Sequence, residues 1–289
     1  MTCLSQIITF WIVFTLLMCS GIAAGETKTV PVGDIDMAYE VRGEGSPLLL
    51  IMGFSGTMDL WDPIMIQMLS SRYRVITFDN RGMGQTTTTG TDFTIEQMAD
   101  DTAGLLAALG IPQTPVLAWS MGTNIAQELI LRHPEKVKKL ILYAADCGGE
   151  KRISPTQEVI TTINKQYPSP REQGEALFKI LFPEKWLKEN PDPSTYFPFP
   201  KETSSEENIQ RQSQAMMNWQ GSYDRLPSIY QPTLLITGTD DVLTPPANSL
   251  LFVGRIPGVW LIQIEGGGHG LMYQFPKRFS EILLTFLEE

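Results

Sequence analysis

Residues 115–129 read Pro-Val-Leu-Ala-Trp-Ser-Met-Gly-Thr-Asn-Ile-Ala-Gln-Glu-Leu, an apolar run followed by one serine and then a helical pattern. The apolar run predicts a buried strand, and the residues after Ser120 predict a helix. Ser120 would lie on the turn between them, where its hydroxyl is exposed and the first backbone N–H groups of the helix face it. This geometry suits a nucleophile.

The residues two before and two after Ser120 are small, as a sharp turn requires. Ala118 and Gly122 would approach each other closely, and Ala118 adds one methyl group where glycine is commoner. The other interpretation is an ordinary strand–helix loop in which Ser120 caps the helix. A serine nucleophile needs a general base, so the histidines help to decide between the two interpretations.

The chain contains two histidines. His133 would end the helix that begins after Ser120, and ~13 residues of helix span about 20 Å, which places it far from the serine. A helix C-terminus also favours a histidine through the helix dipole. His269 lies in the glycine-rich loop 266–270, directly after a predicted strand at 259–264. Such a loop can bring its histidine over a neighbouring strand end, so His269 is the predicted base.

The third member of a triad would be a carboxylate that follows a strand. Asp241 follows the apolar run at 233–237 and is the predicted acid. Asp240 is an alternative, but the two are adjacent and only one of them can point at the imidazole. Asp146, at the end of the strand predicted at 139–144, is a further alternative.

With these residues in this order, the chain resembles the α/β-hydrolases over nearly everything after residue 25. Residues 48–56 resemble the strand and oxyanion loop of that family, with Met52 where the family has histidine, and residues 78–85 resemble its Asp-x-Arg-Gly-x-Gly turn. Ile111-Pro112 and the segment 133–137 also match the sequence pattern that is usual in the family at these places. Within the family, the chain is most similar to the esterase, enol-lactonase and haloperoxidase-like group.

The resemblance implies a mechanism. Ser120 would attack a carbonyl, His269 would take its proton, and Asp241 would hold the imidazole. The backbone N–H groups of Met121 and Phe54 would form the oxyanion hole. The predicted activity is hydrolysis of a small carboxylic ester or lactone through an acyl-enzyme. An amidase, a thioesterase or a carbon–carbon bond hydrolase would use the same triad, and the alternative from another class is a non-catalytic ligand-binding receptor or scaffold on this fold.

Other charged residues near the predicted site have structural interpretations. Asp79 and Arg81 flank a glycine-containing turn and are predicted to form a pair that braces neighbouring loops. Asp100 and Asp101 are adjacent in a predicted helix, so they point to different sides. They indicate a solvated face or loop bracing and not a carboxylate pair for acid–base chemistry.

The pattern after residue 25 predicts an α/β fold with a mainly parallel eight-stranded sheet flanked by helices. Helices are predicted from about Ala99, Asn124, Asn248 and Pro276. The predicted strands are Lys28–Val32, Met37–Arg42, Leu48–Met52, Arg74–Phe78, Val116–Trp119, Lys139–Tyr143, Leu234–Thr237 and Trp260–Ile264.

Residues 147–229 interrupt this alternation and are predicted to form a helical cap between the core segments 26–146 and 230–289. Helices are expected at about Thr156–Gln166, Glu172–Leu181 and Glu206–Trp219. A cap would roof the pocket. Its large side chains would either line the pocket or pack the cap on the core; they are Trp186, Met216, Met217 and Trp219.

Residues 1–25 contain no charged side chain, carry an apolar run at 7–18 and end in small residues. This pattern predicts a signal peptide cleaved near Ala24 or Gly25. An uncleaved membrane anchor is the second interpretation, since the stretch can span about 30 Å of hydrocarbon, and a lipoprotein at Cys19 is the third. Each of them predicts an exported or membrane-anchored protein with its catalytic domain outside the cytoplasm.

The composition and the motifs disfavour nucleic acids, metals and nucleotide cofactors as ligands, so a small-molecule substrate is the predicted partner. A net charge of −10 disfavours nucleic acid. The sequence shows no zinc pattern and no phosphate-loop or dinucleotide motif, so no metal or cofactor is predicted. Cys147 is the one cysteine beyond the leader and cannot form an internal disulfide there. No oligomeric state follows from the sequence.

Overall fold

The computed structural model describes residues 25–289. Residues 1–24, to which the prediction of a signal peptide, an anchor or a lipidated Cys19 applies, lie outside the described residues. Within the part that is described, no helix is both long enough and apolar enough to cross a membrane.

The core is one eight-stranded sheet in the order β1-β2-β4-β3-β5-β6-β7-β8. β2 pairs antiparallel with β1 and with β4, and all other neighbours are parallel. The prediction of eight strands in a mainly parallel sheet is therefore confirmed. The strands are β1 Lys28–Val32, β2 Ile35–Arg42, β3 Pro47–Ile51, β4 Arg74–Phe78, β5 Thr114–Trp119, β6 Val137–Tyr143, β7 Thr233–Gly238 and β8 Trp260–Ile264.

Ten α-helices lie among the described residues, and three short ones (α1, α6 and α9) were not predicted. α1 begins with a proline that follows Asp62, whose Oδ1 accepts a hydrogen bond from Met65 N at 2.7 Å. The helices are α1 Pro63–Ser70, α2 Ile95–Ala108, α3 Met121–Arg132, α4 Gln157–Asn164, α5 Pro170–Leu181, α6 Glu184–Glu189, α7 Glu206–Asn218, α8 Ala247–Val253, α9 Leu271–Gln274 and α10 Pro276–Glu288.

Hydrophobic clusters cover both faces of the sheet. Alternate residues of β3 belong to different clusters, with Leu49 in one and Leu48 in the other. Side chains of α2 and α3, such as Ile125, pack in the first cluster, and those of α1 and α10, such as Met65, pack in the second. A strand buried on both faces is apolar throughout, which explains why the central strands read as continuous apolar runs.

The chain between β6 and β7 contains α4, α5, α6 and α7. Three of these helices correspond to the helices predicted in residues 147–229, with ends that differ by one or two residues. The interpretation of this inserted segment as a cap over the pocket stays a prediction.

Candidate active site

Ser120 lies on a strained turn between β5 and α3. Its backbone has φ 54° and ψ −125°, a left-handed conformation that non-glycine residues adopt at a cost of about 1–3 kcal/mol. The Ser120 side chain makes no capping hydrogen bond to α3. Ser120 is at the N-cap position of α3, but its side chain does not cap the helix, so its hydroxyl is available for another partner.

Gly122 allows this turn to lie against β3. A Cβ atom at this position would lie 2.3 Å from the carbonyl oxygen of Ile51 and 2.8 Å from that of Met52. The atoms nearest to such a Cβ belong to the backbone of β3 and of the residue after it. Gly53 approaches from the same side, since a Cβ there would lie 3.2 Å from Ser120 Cβ.

His269 is the partner of the Ser120 hydroxyl, with Nε2 2.9 Å from Oγ. Its carbonyl oxygen accepts hydrogen bonds from Tyr143 OH and, at 3.2 Å, from Trp119 Nε1. The next N–H, that of Gly270, donates to Leu181 O at 2.8 Å. Contacts from β5, β6 and α5 therefore fix the glycine-rich loop, and the imidazole is buried.

Asp241 holds the other side of the imidazole, with Oδ2 2.9 Å from His269 Nδ1. Its Oδ1 accepts two backbone N–H groups, from Leu243 at 2.9 Å and Thr244 at 2.7 Å. Because the Asp241 carboxylate is an acceptor, Nδ1 carries the proton in the neutral imidazole and Nε2 is left to accept from Ser120.

The two alternative carboxylates do not bind His269. Asp240 is exposed, and its Oδ1 accepts a hydrogen bond from Thr239 Oγ1 at 2.9 Å. Asp146 accepts from Gly148 N at 2.8 Å and from Asn124 Nδ2 at 3.4 Å. Of the three candidates, Asp241 is the one that the structure brings to the imidazole.

The predicted oxyanion donors belong to the first turn of α3 and to the loop after β3. Met121 N–H is the first of α3 and has no partner within the helix. Phe54 belongs to the loop after β3, next to Gly53. Met52, which stands where the family has histidine, is fully buried, and its carbonyl accepts from Asn80 Nδ2 at 3.1 Å. A Cβ at Gly56 would lie 2.7 Å from Met52 Cγ, so the thioether fills the space beneath this loop.

One residue beside this loop is not predicted from the sequence. Gln212 of α7 is fully buried, and its Oε1 accepts a hydrogen bond from Ser55 N at 2.6 Å. Because the two partners are 157 residues apart in the sequence, no local sequence pattern predicts this contact.

The predicted Asp79–Arg81 pair is wrong, although both residues brace loops. Asp79 accepts backbone N–H groups from Met58 at 2.7 Å and Gln85 at 3.0 Å. Burial and, to a smaller extent, the neighbouring Glu202 carboxylate raise the pKa of Asp79 to about 7. Because two backbone N–H groups already bind the Asp79 carboxyl, it does not require the Arg81 guanidinium as a partner.

Arg81 instead binds Asp101 through two hydrogen bonds of 2.7 and 2.8 Å and reaches Asp34 at 2.8 Å. Asp101 is therefore buried and braces a loop. Asp100, on the other side of α2, binds Arg132 and His133. The interpretation of His133 as a residue at the end of α3 is confirmed, because it is the C-cap of that helix.

The large side chains of the inserted segment contact other residues of the segment and of the core. Met216, Met217 and Trp219 line a cleft of about 780 Å³ whose lining residues do not include Ser120. Trp219 Nε1 also donates to Glu128 Oε1 at 2.8 Å, which packs the segment on the core. Trp186 stacks on Phe182 with ring centres 5.0 Å apart.

Residues 25–289 contain no group of three or more His, Cys, Asp or Glu side chains arranged to hold a metal ion. Burial raises the pKa of the Cys147 thiol to about 11, so this cysteine is a poor nucleophile near neutral pH.

Comparisons with known proteins identify relatives of this chain. The sequence pattern of the alpha/beta hydrolase fold matches residues 46–276. RutD of Azorhizobium caulinodans, named as a provisional carbamate hydrolase, is 30% identical over 269 residues, which cover 89% of this chain and 97% of RutD.

Two solved structures extend the comparison. An alpha/beta hydrolase fold protein from Chitinophaga pinensis superposes with a TM-score of 0.80 at 26% identity, over 92% of this chain and 98% of that one. The enol-lactonase from Burkholderia xenovorans superposes with a TM-score of 0.78 over 91% of this chain and all of that one, at 21% identity. At that identity, the second likeness concerns the fold alone.

Proposed function

This chain belongs to the α/β-hydrolase fold family and is a hydrolase, and we propose that it cleaves a small carboxylic ester or lactone with Ser120 as the nucleophile. The observation that carries the proposal is the continuous contact from Ser120 Oγ to His269 Nε2 and from His269 Nδ1 to Asp241 Oδ2, each 2.9 Å long. A serine, a base and an acid in hydrogen-bonding order are what acyl transfer requires.

In the first half of the reaction, His269 Nε2 takes the proton of Ser120 while Oγ attacks the substrate carbonyl. Asp241 stabilises the imidazolium that forms, without itself taking the proton. The tetrahedral intermediate then collapses as the carbon–oxygen bond to the leaving group breaks. His269 returns its proton to that oxygen, which leaves as an alcohol or, from a lactone, stays attached as a hydroxyl.

The second half removes the acyl group from Ser120. His269 takes a proton from water, and the resulting hydroxide attacks the ester carbonyl. The bond between the acyl carbon and Ser120 Oγ then breaks, His269 returns the proton to Oγ, and the carboxylic acid leaves. The negative oxygen that forms in each half would accept hydrogen bonds from Met121 N–H and Phe54 N–H. Removal of one such donor typically lowers the rate by about 100- to 1000-fold. The N-terminal end of α3 adds a favourable partial positive charge.

Labelling of the nucleophile tests the proposal. A fluorophosphonate probe reacts with an activated serine, and mass spectrometry of the digested protein locates the adduct. We expect one adduct, on Ser120, that is lost in heat-denatured protein and in His269→Ala. His133→Ala is the matched control, because it removes the other histidine and should label like the wild type. Equal labelling after His269→Ala would contradict the proposed base.

A substrate panel separates the possible acyl compounds. RutD suggests carbamates and the resemblance suggests esters and lactones, so the panel combines one short acyl group with ester, lactone, thioester, amide and carbamate linkages. We expect the ester or the lactone to give the highest kcat/KM. Folded protein that neither labels nor hydrolyses any of them would favour a ligand-binding receptor on the same fold.

We also propose that residues 147–229 act as a cap that selects the substrate, supported by their insertion between β6 and β7. The exported or membrane-anchored location rests on the apolar run at 7–18. The N-terminal mass of the protein from its native host distinguishes a protein whose leader is cleaved, which begins near residue 25, from one that keeps an intact anchor or begins at a lipidated Cys19.

A further inference from the structure

The amide of Gln212 has one possible orientation. Its oxygen accepts the hydrogen bond from Ser55 N at 2.6 Å, and since an NH₂ group cannot accept from an N–H donor, Oε1 must face Ser55. The side chain is fully buried. Gln212 therefore joins α7 of the inserted segment to the loop after β3 through a single, directed hydrogen bond.

This bond holds the loop close to the nucleophile. Ser55 has a left-handed backbone with φ 56°, which a serine adopts only where its surroundings impose it. Gly53, two residues earlier, lies against Ser120. The residue between them is Phe54, whose N–H is the proposed oxyanion donor. The bond to Gln212 holds the Phe54–Ser55 peptide, which directly follows the Gly53–Phe54 peptide that carries the Phe54 N–H.

The NH₂ group of Gln212 indicates that packing alone does not explain why a glutamine is present at this position. Gln212 Nε2 is buried and has no hydrogen-bond partner within residues 25–289. A buried donor without a partner costs about 1–3 kcal/mol, whereas one neutral hydrogen bond contributes about 1 kcal/mol. A methionine of similar length would fill the same space without that cost.

Neighbouring contacts keep α7 in place on the same side of the core. Asn208 Nδ2 donates to Gly82 O at 3.0 Å, and Gly84 N donates to Ser204 Oγ at 3.0 Å. The helix is thus held on the loop after β4 independently of Gln212. Loss of the Gln212 amide should leave α7 docked.

We propose that Gln212 is a positioning residue for the reaction at Ser120: it sets the backbone around Phe54 so that the Phe54 N–H faces the developing oxyanion. The role rests on the proposed function. It makes the inserted segment a contributor to the chemical step as well as to substrate choice, because a misplaced donor stabilises the transition state less.

The test compares Gln212→Met with Gln214→Met, the same change at an exposed position of α7. Ester hydrolysis gives kcat and KM, fluorophosphonate labelling gives a rate constant for a reaction that also develops negative charge, and thermal unfolding gives Tm. For Q212M we expect kcat and the labelling rate to fall together by about 10- to 100-fold. KM should stay within about twofold and Tm should change little, because the substitution removes one unpaired donor, Gln212 Nε2, and leaves another, Ser55 N–H, without its acceptor. Q214M should match the wild type.

A structural role would give a different result: a lower Tm with unchanged kcat for the folded fraction. That result, or a kcat equal to the wild type, would overturn the proposal. If Q212M does not fold, Gln212→Asn, whose shorter side chain withdraws the acceptor from Ser55, should show the same loss in kcat. A wild-type protein that fails to react at Ser120 would overturn the proposed function itself, whereas a reactive wild type with an equally reactive Q212M would overturn the role of Gln212 alone.

Discussion

Asp241 holds His269 Nδ1 at 2.9 Å with one carboxylate oxygen and binds two backbone N–H groups with the other. The backbone contacts fix the carboxylate, and the carboxylate fixes the imidazole. Asp240, one residue earlier, faces solvent. The carboxylates of Asp240 and Asp241 therefore have different surroundings, so the same substitution at the two positions makes a matched comparison.

Asp241→Asn should lower kcat by about 10⁴-fold, since an amide favours the tautomer in which Nε2 carries the proton and cannot accept one from Ser120. The kcat of Asp240→Asn should stay within about twofold of the wild-type value, because the exposed Asp240 side chain contributes little to the site. Steady-state hydrolysis of one ester by both variants is the measurement. A larger loss in D240N than in D241N would reassign the acid.

Asp101→Asn should lower the free energy of unfolding by about 3–5 kcal/mol, because it leaves the buried Arg81 guanidinium without its main partner. Asp100→Asn, on the exposed side of the same helix, should cost about 1 kcal/mol or less. Urea unfolding followed by circular dichroism measures both. Equal losses would show that the Arg81–Asp101 pair does not brace the loop as the contacts indicate.

Gly122→Ala should destabilise the fold by about 1–3 kcal/mol or more, because its methyl group meets the carbonyl oxygens of Ile51 and Met52. Gly254→Ala is the control: this glycine has φ −78° and no heavy atom within 4 Å of a Cβ, so a change within about 0.5 kcal/mol is expected. Urea unfolding compares the two. A free energy of unfolding in G122A equal to that of the wild type would mean that β3 and the Ser120 turn are not in close contact.

Glu202→Gln should raise Tm only at the higher pH values. The folded pKa of Asp79, about 7, lies above its ordinary value of 3.8, so its contribution to stability is fully present below pH 3.8 and is lost as the pH rises through about 7. Removal of the nearby Glu202 charge lessens that loss, because Asp79 then ionises with less repulsion.

The expected gain in Tm is about 2 °C for about 1 kcal/mol in a protein of this size. It should be absent at about pH 5 and present at about pH 8.5, where Asp79 is charged. The exposed Glu189→Gln variant should shift Tm equally at all pH values in this range. A gain for E202Q that does not depend on pH would contradict the pairing of the two carboxyl groups.

The sequence predicts most of what depends on local patterns. The central strands are apolar throughout because both of their faces are buried, and Ser120 and His269 follow from small or glycine-rich neighbours and from the scarcity of histidine. The sequence favours Asp241 over Asp240 and Asp146, and Asp241 is the one of the three whose carboxylate contacts His269.

What the sequence did not predict depends on distant partners. Arg81 binds Asp101 and not Asp79, because the fold brings α2 to the loop after β4 and two amides already bind Asp79. Gln212 contacts Ser55 across 157 residues. The short helices α1, α6 and α9 carry too few turns for an apolar period to emerge.

The central claim is that Ser120 forms an acyl-enzyme, and the most direct test is to trap it. Rapid acid quenching of the protein with p-nitrophenyl acetate, followed by digestion and mass spectrometry, reads out the acylated residue. We predict one acetyl group per chain on the peptide that carries Ser120, formed before steady-state turnover and absent from Ser120→Ala. Acetyl on a different residue, or ester hydrolysis by S120A at the wild-type rate, would contradict the account.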